Sequence, residues 1–99
     1  MTEFHPPRLL SKPAKAKWRA VANLLDELDA GAVLHVDIIA ENWDLRREAL
    51  RNIAEKGAVT LDRFKQEKPS PWVSIARDCA LAIQRSYRSL GLDLAPEEK

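Results

Sequence analysis

Residues 70–92 read SPWVSIARDCALAIQRSYRSLGL and contain the most complete helix pattern in the chain. Apolar side chains recur there at the three- and four-residue intervals of one helix face: Trp72, Ile75, Ala76, Cys79, Ile83 and then Tyr87 or Leu90. Ser70 is a suitable N-cap, and Pro71 fits the first helical position because its missing N–H needs no partner there. Gly91 followed by Leu92 is typical of a Schellman stop. The stretch predicts one amphipathic helix of about five turns.

A first helix is predicted to begin at Ser11, with Pro13 in its first turn. Its apolar stripe follows the same three- and four-residue spacing: Ala14, Trp18, Val21, Leu25 and Leu28. Gly31 is predicted to end this helix as its C′ residue. The acids Asp26, Glu27 and Asp29 would then lie at the C-terminal end, where the helix dipole disfavours negative charge.

A second helix is predicted to start near Val36 or Asp37 and to run to Lys56, with Gly57 as its stop. Its buried stripe would contain Ile39, Trp43, Leu50 and Ile53, with three alanines beside them: Ala40, Ala49 and Ala54.

Between the second and third helices the period of the pattern changes. Val59 and Leu61 alternate with Thr60 and Asp62, which indicates a short extended segment or a minimal β-hairpin. The predicted fold class is therefore mainly α, a three-helix domain with a short extended or β-hairpin connection between helices two and three. We expect a single helical domain over residues 1–99, with flexible tails at 1–10 and 93–99.

Composition limits the function classes. The chain has 99 residues, ordinary apolar content and a single cysteine, so we expect a cytoplasmic domain with a thin core and no disulfide framework. No apolar run approaches the length of a membrane helix, and residues 1–7 do not form the pattern of a signal peptide.

The net charge of +1 conceals alternating blocks of charge. Residues 1–20 carry a net +4, residues 21–48 a net −5, residues 49–90 a net +4, and the remainder a net −2. Such blocks are typical either of solvated helix faces or of a head-to-tail contact between copies of one chain.

No catalytic, cofactor-binding or metal site is predicted. His5 and His35 have no second ligand at metal spacing, and Cys79 falls on an apolar stripe, where a free thiol acts as a small hydrophobe. DNA contact is the binding hypothesis that the charges allow. The candidate residues are Arg8, Lys12, Lys15, Lys17 and Arg19, and the alternative set is Arg63, Lys65 and Lys68.

Several marks occur together in a characteristic order. Lys17-Trp18-Arg19 and residues 24–28, LLDEL, precede the turn GAVL at 31–34; Asp37 and Trp43 follow, then IAEKGAV at 53–59 and LGL at 90–92. In this order, over roughly residues 8–97, the chain resembles a family of phage terminase small subunits. One stretch differs, because family members tend to have an Asn- and Gly-rich connection before the last helix, whereas residues 65–71 read KQEKPSP.

The resemblance implies a non-catalytic protein of the host-cell cytoplasm, encoded by a phage or a prophage. Such subunits form rings of identical copies, recognise the packaging start on double-stranded phage DNA and deliver it to the terminase large subunit, which holds the ATPase and nuclease. Two other readings stay open: a dimeric helix-turn-helix transcription regulator and a helical adaptor that binds only protein.

Overall fold

The computed structural model describes residues 4–92, which form three helices and a two-stranded hairpin. In chain order these are α1 (Lys12–Ala22), α2 (Ala30–Lys56), β1 (Val59–Leu61), β2 (Glu67–Pro69) and α3 (Pro71–Ser89). The predicted fold class, mainly α with a hairpin between helices two and three, is confirmed.

The boundary between α1 and α2 differs from the prediction. α1 ends at Ala22, with Asn23 as its C-cap, and α2 already begins at Ala30. Asp29 is the N-cap of α2, because its Oδ1 accepts a hydrogen bond from the Ala32 N–H at 2.8 Å. The predicted helix end at Gly31 and the predicted start near Val36 or Asp37 are therefore wrong.

This correction also reverses the reading of the Asp29 charge. As the N-cap of α2, Asp29 lies at the positive end of a helix dipole, where a carboxylate is stabilising. Leu25 and Leu28 contact the core as predicted, but from the connection between the helices rather than from α1. For Leu25 and Leu28 the apolar spacing was thus a correct guide to burial and a wrong guide to backbone conformation. On α2 the prediction of burial is wrong for Leu50 and Ala54, which are exposed.

α2 is the scaffold of the molecule. Its 27 residues span about 40 Å. α3 runs back along it, since His35 near the start of α2 lies 3.3 Å from the Ser86 hydroxyl near the end of α3. α1 packs on the N-terminal half of α2, and the buried core cluster there contains Trp18, Val21, Val36, Ile39 and Ala40.

The ends of α3 follow the predicted pattern. The Ser70 hydroxyl accepts a hydrogen bond from the Trp72 N–H at 3.2 Å, and Pro71 is the first helical residue. At the other end the Leu92 N–H donates to the Tyr87 carbonyl at 2.8 Å, while Gly91 has a φ of 75°. This is the Schellman geometry, which leaves Leu92 packed against the core.

The hairpin is antiparallel, with Val59 opposite Pro69 and Leu61 opposite Glu67. Its turn is held by the Asp62 carboxylate, which accepts hydrogen bonds from the Phe64 and Gln66 N–H groups. Most of its side chains are exposed, Phe64 at 69%. The hairpin therefore projects from the C-terminal end of α2 without adding to the core.

The described part of the chain measures 58 × 32 × 20 Å, with a radius of gyration of 16.2 Å. A compact domain of this length has a radius of gyration of about 13 Å. The molecule is accordingly a long, thin layer of helices. Of the two predicted tails, residues 4–10 belong to the described part, where Phe4 and Leu10 contact the core, whereas residues 93–99 lie outside it.

Candidate nucleic-acid and self-association surfaces

The basic residues predicted on the first helix do not all share one surface. Lys12, Lys15 and Arg19 follow each other at intervals of three and four residues, so they form one row on α1 beside its buried face. Lys17 is half-buried and two residues from both Lys15 and Arg19, which places it on the other flank. Arg8 precedes the helix and lines a cleft against α2. The structure brings three of the five candidates together.

Two carboxylates of α2 hold the α1 row in position. The Asp44 carboxylate accepts hydrogen bonds from the Ser11 N–H at 3.0 Å and the Ser11 hydroxyl at 2.7 Å. The Trp18 indole N–H donates to the Asp37 carboxylate at 2.7 Å. Bonds to charged acceptors are stronger than bonds between neutral groups, so these contacts fix α1 on α2 in one register.

Neither Asp37 nor Asp44 stands out in the sequence by residue type alone, but their spacing does carry information. Ser11 and Trp18 are seven residues apart, and so are Asp37 and Asp44. The pairs meet in reverse order, Ser11 with Asp44 and Trp18 with Asp37, because α1 and α2 run in opposite directions. Matched spacings of two helical turns are the pattern that could have identified these anchors.

The alternative basic set lies on the hairpin. Arg63, Lys65 and Lys68 are exposed, and the Arg63 guanidinium lies 5.1 Å from the centre of the Phe64 ring. The N-cap of α1, Ser11, bonds to Asp44 of α2, while the hairpin follows Lys56, so roughly 18 Å of helix lies between that contact and the hairpin.

A cleft of about 550 Å³ lies between residues 7–10 and α2. Its α2 side carries three acids, Glu41, Asp44 and Glu48, together with Leu45 and Arg51. Burial raises the pKa of Glu41, and the nearby Asp37 carboxylate adds to the rise. The cleft combines apolar side chains with three acids and two arginines, Arg8 and Arg51, on an open surface.

Outside the cleft, the remaining candidates for a functional role are the Cys79 thiol, a metal site and a membrane-spanning helix. Cys79 is buried, and that burial raises the pKa of its thiol, which disfavours the thiolate at neutral pH. Between Phe4 and Leu92, no group of three or more His, Cys, Asp or Glu side chains is arranged to hold a metal ion. None of the helices in this range is both long and apolar enough to cross a membrane.

These features define a class of small three-helix protein whose charged residues are presented on open helix surfaces. The family model for the phage terminase small subunit matches residues 14–99. Because the match covers most of the sequence, the chain belongs to the phage terminase small subunit family. Neither a curated protein nor a solved structure matches it.

Membership confirms the predicted resemblance and supports a role in phage DNA packaging, within a machinery that includes DNA and the large subunit. The subunits of this family are generally non-catalytic.

Proposed function

We propose that this chain initiates phage DNA packaging in the host-cell cytoplasm as a non-catalytic subunit. Copies of the chain assemble into a closed ring, bind double-stranded viral DNA and present it to the terminase large subunit. The observation that carries the proposal is the family match over residues 14–99, and the basic row on α1 supplies a physical route for the DNA-binding step.

The α1 row of Lys12, Lys15 and Arg19 is the surface that we assign to DNA. Lys12 and Arg19 are exposed, and none of the three forms an ion pair within the described residues, so their charges remain available for phosphates. Each phosphate contact releases counterions and makes binding sensitive to salt. A ring repeats the row once per copy, so weak contacts gain strength through avidity.

The long second helix argues against a helix-turn-helix regulator. A recognition helix places a few residues at its N-terminal end in the major groove. Here α2 has 27 residues, and its N-terminal half packs against both α1 and α3. The protein-only adaptor remains the alternative that the experiment below separates.

The test is a pair of matched triple variants. In the first, Lys12, Lys15 and Arg19 are changed to Gln; in the second, the same change is made at Arg63, Lys65 and Lys68. Binding to duplex DNA is measured by fluorescence anisotropy over a range of salt concentrations. We expect the first variant to bind more weakly, with the slope of log affinity against log salt reduced by about 0.9 for each lost contact.

The second variant should bind DNA as the parent does. Loss of binding in the second variant alone would move the DNA surface to the hairpin. A parent that does not bind DNA at any salt concentration would favour the protein-only adaptor.

A further inference from the structure

The outer side of α3 carries a row of arginines interrupted by one leucine. Cys79 and Ser86 are the buried residues of this helix, and they define its inner side. Arg77, Leu81 and Arg85 lie at four-residue intervals on the opposite side, and all three are exposed. Leu81 is 42% exposed. We name these three residues the arginine row.

One acid lies beside the arginine row. Asp78 approaches Arg77 at 3.7 Å, but both side chains are about two-thirds exposed, so solvent screens this pair strongly. Arg88, one turn further along from Arg85, adds a positive charge in the last turn of α3. The outer side of α3 therefore stays positively charged.

α2 carries the complementary pattern in its cleft. Glu41, Leu45 and Glu48 lie at intervals of four and three residues, and Leu45 is 42% exposed. Neither glutamate forms an ion pair with another residue of the described chain. We name these three residues the acidic row. In both rows an exposed leucine stands between two like charges, about one helical turn from each.

The two rows cannot meet within one chain. His35 on α2 faces Ser86 on α3, and this contact defines the sides on which the two helices pack together. The arginine row points away from α2, and the acidic row lines a cleft against residues 7–10 rather than against α3. Each row is thus available only to another molecule.

We propose that the arginine row of one copy packs on the acidic row of the next copy, with Leu81 seated beside Leu45 in the cleft. This proposal rests on the proposed self-assembly and specifies the surfaces that carry it. Because two different surfaces meet, every copy offers one of each, and the contact can repeat from copy to copy; it gives a ring where the rotation between copies closes. The leucines form the apolar centre, and the charges set register and partner choice.

A second copy fits the arginine row better than DNA does. Leu81 in the middle of the row would find no apolar complement on a phosphate backbone, and Asp78 would repel it. The cleft supplies an apolar wall, where Leu9 is 95% exposed, and an excess of acids, since three carboxylates line it against Arg8 and Arg51. The thin shape, only 20 Å in its smallest dimension, leaves both rows accessible to neighbours placed side by side.

The test is a charge swap within one chain. One variant combines Glu41→Lys with Glu48→Lys, a second combines Arg77→Glu with Arg85→Glu, and a third carries all four changes. Mass in solution is measured by light scattering at about 0.15 M salt, where long-range charge effects are screened. Glu55→Lys with Arg63→Glu, two exposed positions outside both rows, is the matched control, and circular dichroism checks helicity.

We expect each two-residue reversal to lower the mass to that of one chain, and the four-residue swap to restore the parent mass, since lysine then faces glutamate at every contact. The control should keep the parent mass. If the parent is itself a single chain, the proposed self-assembly fails and this interface with it. If the parent is an oligomer and the reversals leave its mass unchanged, the self-assembly stands and this interface is overturned. Loss of DNA binding by the Arg77→Glu, Arg85→Glu variant without loss of mass would also overturn it and assign the arginine row to nucleic acid.

Discussion

The two ends of α2 carry similar apolar patterns but differ in how far their apolar side chains are buried. At the N-terminal half, which we call the packed end, α1 and α3 both cover the helix, and Ile39 is fully buried. At the C-terminal half, which we call the open end, Leu50 belongs to the same predicted stripe and yet is 41% exposed. The hairpin beyond it leaves Leu61 and Phe64 even more exposed.

The cause of this difference is the length of α1. α1 runs from its N-cap, Ser11, to Ala22, antiparallel to α2. Ser11 bonds to Asp44, so the N-terminal end of α1 lies near the middle of α2. Beyond that point α2 has α3 on one side and no third helix within the described chain. Apolar periodicity thus reports the capacity of a residue for burial, and a neighbouring element decides whether burial takes place.

The largest predicted effect separates the two ends directly. Ile39→Ala should lower the free energy of unfolding by about 2–5 kcal/mol, because it opens a cavity in a closed core. Leu50→Ala should lower it by less than about 1 kcal/mol, because much of that side chain already contacts water. Urea denaturation at one fixed protein concentration measures both. Equal losses would show that the open end is as well packed as the packed end.

The second prediction compares two tryptophans. Trp18→Phe should cost about 1–3 kcal/mol, because it leaves the Asp37 carboxylate without its indole donor in a half-buried position. Trp72→Phe is the matched control at the open end, where the indole N–H makes no hydrogen bond to any residue in 4–92. We expect its thermal midpoint to fall by less than that of Trp18→Phe. The reverse order would remove the assigned role of Asp37 as an anchor.

The smallest predicted effect concerns two glycines at the packed end. Substitution by alanine should change the free energy of unfolding in opposite directions at the two positions. Gly91 has a φ of 75°, which an L-residue adopts with strain, so Gly91→Ala should destabilise by about 1 kcal/mol. Gly31 lies in the first turn of α2, and an added Cβ would stand 3.6 Å from the Asp29 Oδ1 atom, an ordinary contact. Gly31→Ala should therefore stabilise by about 0.5 kcal/mol.

Thermal denaturation of the two glycine variants distinguishes the observed helix boundary from the one that the sequence predicts. Destabilisation by Gly31→Ala would indicate a left-handed helix end at residue 31, as the spacing of the apolar stripe suggested. Stabilisation would support a helix that begins at Ala30.

Local chemistry explains which parts of the fold are readable from the sequence. The bounds of α3 depend on Ser70, Pro71 and Gly91, which act on their own neighbours, so the prediction there is confirmed. The start of α2 depends on Asp29, whose capping of Ala32 competes with continuation of α1. Apolar spacing is the same under both outcomes and could not decide between them.

The candidate sites also contain features that the sequence predicts and features that only the tertiary structure shows. Residue type identified the exposed basic side chains, but only the helix geometry separates Lys17 from the row of Lys12, Lys15 and Arg19. The acidic cleft depends on the placement of residues 7–10 against α2, which is a tertiary contact between segments distant in sequence. The alternating charge blocks allowed a contact between oppositely charged surfaces of two copies. They could not identify which of the charged side chains are exposed to solvent.

Native mass spectrometry of the unmodified protein tests the central claim most directly. The account predicts a single closed homo-oligomer of more than two copies, since the proposed ring joins two different surfaces of each copy to two neighbours. Raising the salt concentration before transfer to the volatile buffer should lower the share of that species, because charged residues flank the contact. A mass corresponding to one chain, or to a dimer that does not grow with concentration, would contradict the account.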